Sequence, residues 1–136
     1  MSVIIDTKRI PYDTLMPDKN ITDFISFCRE VKSRYEGNAR ETNDKEEELQ
    51  DLMHYVELHG DLDCKGGYAL YKKIRETRTE RRKCKSENEL LLPVYNWIAA
   101  NDTALNRLAE ALGNVRKAAE LIDNKKYMAR TDVLEG

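Results

Sequence analysis

Glu41, Asp44, Glu46, Glu47, Glu48 and Asp51 crowd one short stretch of the chain, and Lys72, Lys73, Arg75, Arg78, Arg81, Arg82, Lys83 and Lys85 crowd another. Each stretch could do chemistry. Carboxylates spaced like Glu47, Glu48 and Asp51 can gather magnesium for phosphate-ester hydrolysis, whereas a helix dense in arginine and lysine can lie across phosphates. The metal reading lacks its second half, because the segment that would face these carboxylates is cationic and would repel a metal. The phosphate reading lacks a stacking platform, since only Tyr68 and Tyr71 flank the basic stretch. Both clusters are helical in pattern, with Gly60 and Gly66-Gly67 between them, so an antiparallel hairpin in which acid meets base accounts for most of the charge.

The remaining chemistry-bearing residues are sparser. Asp61-Leu62-Asp63-Cys64-Lys65-Gly66 superficially suits a calcium loop, but Lys65 replaces an oxygen ligand and Lys72 stands where a bidentate glutamate belongs. It reads as a turn in which Asp63 caps the next helix. His59 and Cys64, with His54 further back, lack a second pair at zinc-ligand spacing. Cys84 sits among cations, which lower a thiol's pKa, and reads as an oxidisable cysteine. No P-loop, dinucleotide fingerprint or nucleophile elbow occurs. No catalytic residue, cofactor site or metal site is assigned. The candidate contact residues are Arg75, Arg78, Arg82, Lys83, Glu47, Glu48 and Tyr68.

The elements that carry these residues follow from apolar spacing. A chain of 136 residues, 40% hydrophobic and 35% charged, suits one elongated helical domain. Ser2 to Asp18 reads as an extended strap interrupted by Pro11 and Pro17, with Val3-Ile4-Ile5 as a candidate short strand. Asn20 is then a candidate N-cap. A first helix over 20–59 carries Ile21, Phe24/Ile25, Cys28, Val31, Tyr35, Leu49, Leu52/Met53 and Val56 at heptad spacing. Its weak point is Gly37-Asn38, where a kink or fraying is expected. A second helix over 64–100 carries Tyr71, Ile74, Arg78, Arg81, Lys85, Asn88, Leu92 and Tyr95. Pro93 is expected to kink it, the alternative being two helices meeting between Lys85 and Pro93. Folding the two together sets Met53 near Ile74, Leu49 near Arg78, Glu46 near Arg81 and Tyr35 near Leu92. A third, shorter helix over 102–124 shows Leu105, Leu108/Ala109, Leu112, Val115, Ala119 and Ile122, and 125–136 is a tail. The expected fold is all-α: a long antiparallel coiled-coil helical hairpin, with a third helix completing a three-helix bundle at one end.

The totals narrow the function classes. A formal net charge of −2 lacks the basic excess usual in a dedicated nucleic-acid binder. Cys28, Cys64 and Cys84 form no disulfide framework, so reduced thiols in a cytoplasmic setting are expected. No apolar run reaches the ~18 residues of a membrane span, and the N-terminus lacks a signal-peptide pattern.

Gly67-Tyr68-Ala69-Leu70-Tyr71 with Arg78, Arg81-Arg82, Lys85, Glu87, Glu89 and Pro93 resembles small helical accessory proteins of bacteriophages and prophages of Gram-positive bacteria. The resemblance covers about a fifth of the chain. It implies a mobile-element protein in the cytoplasm of a bacterial host, some of whose kind inhibit host or defence machinery, anti-CRISPR proteins among them. The expected function is non-enzymatic protein binding by such an inhibitor or modulator, with homodimerisation a companion. Two alternatives stay open: a nucleic-acid accessory protein using the basic helix 72–85, and an enzyme like the all-α nucleotide pyrophosphohydrolases.

Overall fold

The computed structural model describes residues 14–135, with side chains described as far as 124. The expected strap over Ser2–Asp18 lies outside the described residues as far as 13, its candidate strand included, and its last residues, Pro17 and Asp18, are helical instead. Three helices follow in order: α1 (Pro17–Leu58), α2 (Cys64–Ala100) and α3 (Asp102–Glu135). No strand occurs among the described residues. The chain divides into two compact units. One contains residues up to Phe27 together with Asn101 onward; the other is Cys28–Ala100.

Helix α1 starts ahead of the expected Asn20 cap. Pro17 occupies the first helical turn, where its missing N–H would have no intrahelical acceptor anyway. Met16 just before it takes a φ of 49°. Asn20 is already inside the helix: its backbone N–H donates to Met16 O at 3.0 Å and its side-chain amide to Leu15 O at 2.7 Å. Asp18 lies in the first turn, where the helix dipole favours a carboxylate.

In the first unit, Asp18 also ties α1 to α3. The Arg116 guanidinium donates to both Asp18 oxygens, at 2.9 and 3.1 Å, and to the Thr22 hydroxyl at 3.3 Å. Arg116 beside it holds the Asp18 carboxyl below its usual range. Leu112 is buried and Leu105, Leu108, Val115 and Ala119 are half-buried, matching the apolar stripe read for the third helix. The helix does not stop near Asn124. It runs 34 residues to Glu135, because neither glycine nor proline interrupts the sequence between Gly113 and Gly136.

In the second unit, α1 and α2 run in opposite directions, since contacts that advance along one retreat along the other. Their less exposed positions recur at steps of three and four. On α1 these are Cys28, Val31, Tyr35, Asn38, Thr42, Lys45, Leu49 and Leu52. On α2 they are Leu70, Ile74, Thr77, Arg81, Cys84, Asn88, Leu91, Tyr95 and Ile98. Half of the expected α2 stripe is therefore displaced by one residue. Leu70, Thr77, Cys84 and Leu91 turn inward, while Tyr71, Arg78, Lys85 and Leu92 are exposed. Leu49 and Arg78 still border one groove, but Arg78 stays exposed instead of being covered. Thr77, only 1% exposed, occupies the covered position, where a guanidinium would lose its hydration.

Gly37-Asn38 does not interrupt α1. The Asn38 amide donates to Glu87 Oε1 at 2.7 Å and to Asn88 Oδ1 at 2.9 Å, so the weakest helical dipeptide is anchored from outside. Helix α2 likewise passes through Pro93 as one element. Proline deprives the Glu89 carbonyl of its donor, but Glu89 and Pro93 are both exposed and water can replace that bond.

Asp63 caps α2 as expected, its Oδ1 accepting the Gly66 N–H at 2.7 Å. A Cβ on Gly66 would lie 2.9 Å from that same oxygen and 3.4 Å from Leu62 Cδ2. Gly66→Ala should displace the cap and lower stability by about 0.5–2 kcal/mol, read by urea unfolding followed by circular dichroism. An unchanged midpoint would show that the cap contributes nothing.

Candidate functional site: the charged middle of the second unit

The acidic and basic stretches meet, but only in part. Glu48 points into the gap between α1 and α2. Lys73 Nζ lies 3.1 Å from its Oε1 and Lys45 Nζ 3.3 Å from its Oε2. Thr77 Oγ1 lies 3.3 Å from Oε1 while also donating to its own helix at Lys73 O, at 2.9 Å. Lys73, then Lys45, hold the Glu48 carboxyl below its usual 4.5. Lys45 reaches across to Glu80 at 2.8 Å, and that bond, with Glu48 adding to it, raises its pKa. Arg81 pairs with Glu46 at 3.1 Å, the contact expected from the charge register.

Further along, polar contacts continue to set the alignment. Arg34 meets Glu87 at 2.8 Å. The Asn88 amide donates to Tyr35 O at 3.0 Å. Tyr35 stacks on Tyr95 with ring centroids 4.1 Å apart. The Tyr95 hydroxyl donates to Glu36 Oε2 at 3.0 Å, which raises its pKa. Asn88 was on the expected stripe, whereas Asn38, Thr42, Lys45, Thr77 and Cys84 were not singled out by apolar spacing. Their signal was positional: each falls on the three-and-four frame set by apolar neighbours.

The candidate contact residues separate into two groups. Glu48 is consumed by internal bonds. Arg75, Arg78, Arg82, Lys83 and Glu47 are exposed, and among the described residues none has an ion-pair partner. Tyr68 is 67% exposed and does not line the groove described next.

The four free cations, Arg75, Arg78, Arg82 and Lys83, border an open groove of ≈ 860 Å³ along α2. Tyr71, Ile74 and Leu49 supply its apolar lining, with Thr79 and Arg81 completing it. The groove therefore offers aliphatic and aromatic surface beneath a row of guanidinium groups. Such a surface can hold an anionic ligand that also brings apolar groups.

The structure gives the other sequence candidates different surroundings. Among the described residues no three His, Cys, Asp or Glu side chains are gathered as a metal ion would require. Glu48, one of the carboxylates of the magnesium reading, is bound by lysines instead. Cys84 is half-buried, and burial first, then Glu41 and Glu87, push its thiol up rather than down. The expectation of a thiol activated by cations is overturned because its side chain turns into the seam, away from the exposed arginines. Cys28 is buried, Cys64 is exposed, and neither forms a disulfide.

Compared with known proteins, the chain matches no family model, and no curated protein or solved structure is significantly similar to it. No described helix is long and apolar enough to cross a membrane.

The Glu48 cluster has a definite acid dependence. A carboxyl held below its unfolded pKa contributes stability that is complete above the unfolded value and is lost as pH falls through the folded one. Acidification below the usual 4.5 should therefore weaken the α1–α2 contact. Lys73→Met should flatten that acid limb, measured as the thermal midpoint between neutral and acidic pH; equal slopes for both proteins would contradict it.

Proposed function

We propose that this chain is a non-enzymatic binding module whose basic groove on α2 contacts another protein. One observation carries the reading. Arg75, Arg78, Arg82 and Lys83 are exposed and unpaired around an apolar lining, although carboxylates are abundant nearby. They differ in this from Lys73 and Arg81, which pair with Glu48 and Glu46 across the two helices. The apolar lining favours a protein ligand over a bare phosphate backbone, and the net charge of −2 works in the same direction.

The finer architecture belongs to the same reading. The three-and-four recurrence of covered positions supports an antiparallel coiled-coil hairpin from α1 and α2, and a rigid hairpin would hold the groove straight. The resemblance of Gly67–Tyr71 and the following charged positions to phage and prophage accessory proteins supports an inhibitor or modulator of host or defence machinery, acting in the bacterial cytoplasm. A second reading, nucleic-acid binding, draws on the outward direction of the same arginines, the condition that it requires.

The test is affinity capture from a bacterial lysate, with and without nuclease, comparing the natural chain with a variant carrying Arg75→Glu, Arg78→Glu, Arg82→Glu and Lys83→Glu. A protein enriched regardless of nuclease and lost from the variant is the expected result. Recovery that disappears with nuclease would transfer the groove to nucleic acid. Recovery equal in both chains would place the contact elsewhere.

A further inference from the structure

Helix α1 carries an outward stripe that is the electrical counterpart of the groove. Asp44, Glu47 and Asp51 are exposed and, among the described residues, have no cationic partner. Their spacing is three residues, then four. Arg75, Arg78 and Arg82 are exposed, unpaired and spaced three, then four. Like charges at these helical spacings repel one another, so each stripe is strained alone. In the charged middle, the ion pairs formed across α1 and α2 engage Glu48, Glu46 and Glu80 with Lys73, Arg81 and Lys45, and none includes a member of either stripe.

We infer that the acidic stripe of a second copy of this chain occupies the basic groove, an inference that rests on reading the groove as a contact surface. Laid parallel, Asp44 meets Arg75, Glu47 meets Arg78 and Asp51 meets Arg82 with no change of spacing. Contact lowers the self-repulsion on both helices while adding the attraction between them. Because the pairs stay near solvent, the association is weak and strongly dependent on salt.

The contact is head to tail. Asp44 and Asp51 sit one turn either side of Glu48, whose bond to Lys73 marks one flank of the α1–α2 pair. Arg78 sits one turn before Arg81 and Arg82, on the flank marked by Arg81–Glu46. One two-fold contact cannot use both flanks. Each joined copy therefore leaves a groove and a stripe open, and assembly grows with concentration.

Sedimentation velocity on the full chain tests this. At ~0.05 M salt the mass should rise with concentration beyond that of a dimer, and the association constant should fall roughly tenfold or more at ~0.5 M. A variant with Asp44→Asn, Glu47→Gln and Asp51→Asn keeps the groove and loses the stripe. A variant with Arg75→Gln, Arg78→Gln and Arg82→Gln does the reverse. Each should be monomeric, and their equimolar mixture should give a one-to-one complex that grows no further. A natural chain that stays monomeric at low salt, or a neutralised variant that self-associates like the natural chain, would overturn the inference without need of the mixture. The stripe-neutralised variant keeps its groove, so its capture of a lysate protein would separate failure here from failure of the proposed function.

Discussion

Two long helices of mixed charge can slide along each other unless something fixes their alignment, and here polar groups in the seam fix it. Apolar side chains alone would tolerate a shift by one heptad, since Val31, Leu49, Ile74 and Leu91 are interchangeable in kind. Asn38 bonded to Glu87 and Asn88, and Asn88 bonded to the Tyr35 carbonyl, are not interchangeable. A heptad slip would break these bonds together. Polar seam residues trade stability for a single register. The covered Thr77, bonded within α2 and reaching Glu48, extends the constraint toward the charged middle.

That fixed register divides the charges. Those near the seam, Lys45, Glu46, Glu48, Lys73 and Arg81, find partners across the helix pair and help to hold it. Those one position further round each helix cannot reach across. The exposed rows are thus a geometric consequence of the seam, and they are what the molecule presents to other surfaces. Surface ion pairs add little to stability one at a time, so their arrangement bears more on recognition than on folding.

Apolar periodicity made the helical class, the reversal near Gly60 and the Glu46–Arg81 contact legible. It also placed Cys28, Val31, Tyr35, Leu49 and Leu52 on the covered face. It misplaced alternate positions of α2, because Leu70-Tyr71 and Leu91-Leu92 each offer two adjacent residues of similar hydrophobicity. The deciding pair is Thr77-Arg78, where burial of the smaller, hydrogen-bond-satisfied residue costs less. The start of α1 was obscured by Pro17, which reads as a breaker until it is placed in a first turn. The groove was only half visible. Its cations could be named from sequence, but whether they faced the acidic helix or the outside depended on that one-residue choice.

Cys84 gives the seam a chemical clock. Its thiol is half-buried among Glu41, Glu87 and the packed helices, and its raised pKa keeps it protonated and slow to react. Cys64, beside the Gly60 turn, is exposed in the same molecule. An alkylating reagent would thus consume Cys64 at the pace of an open thiol, whereas Cys84 would be modified mainly during excursions in which α1 and α2 part. The ratio of the two rates counts those excursions, so the polypeptide carries both the reporter of its own breathing and the reference against which to read it.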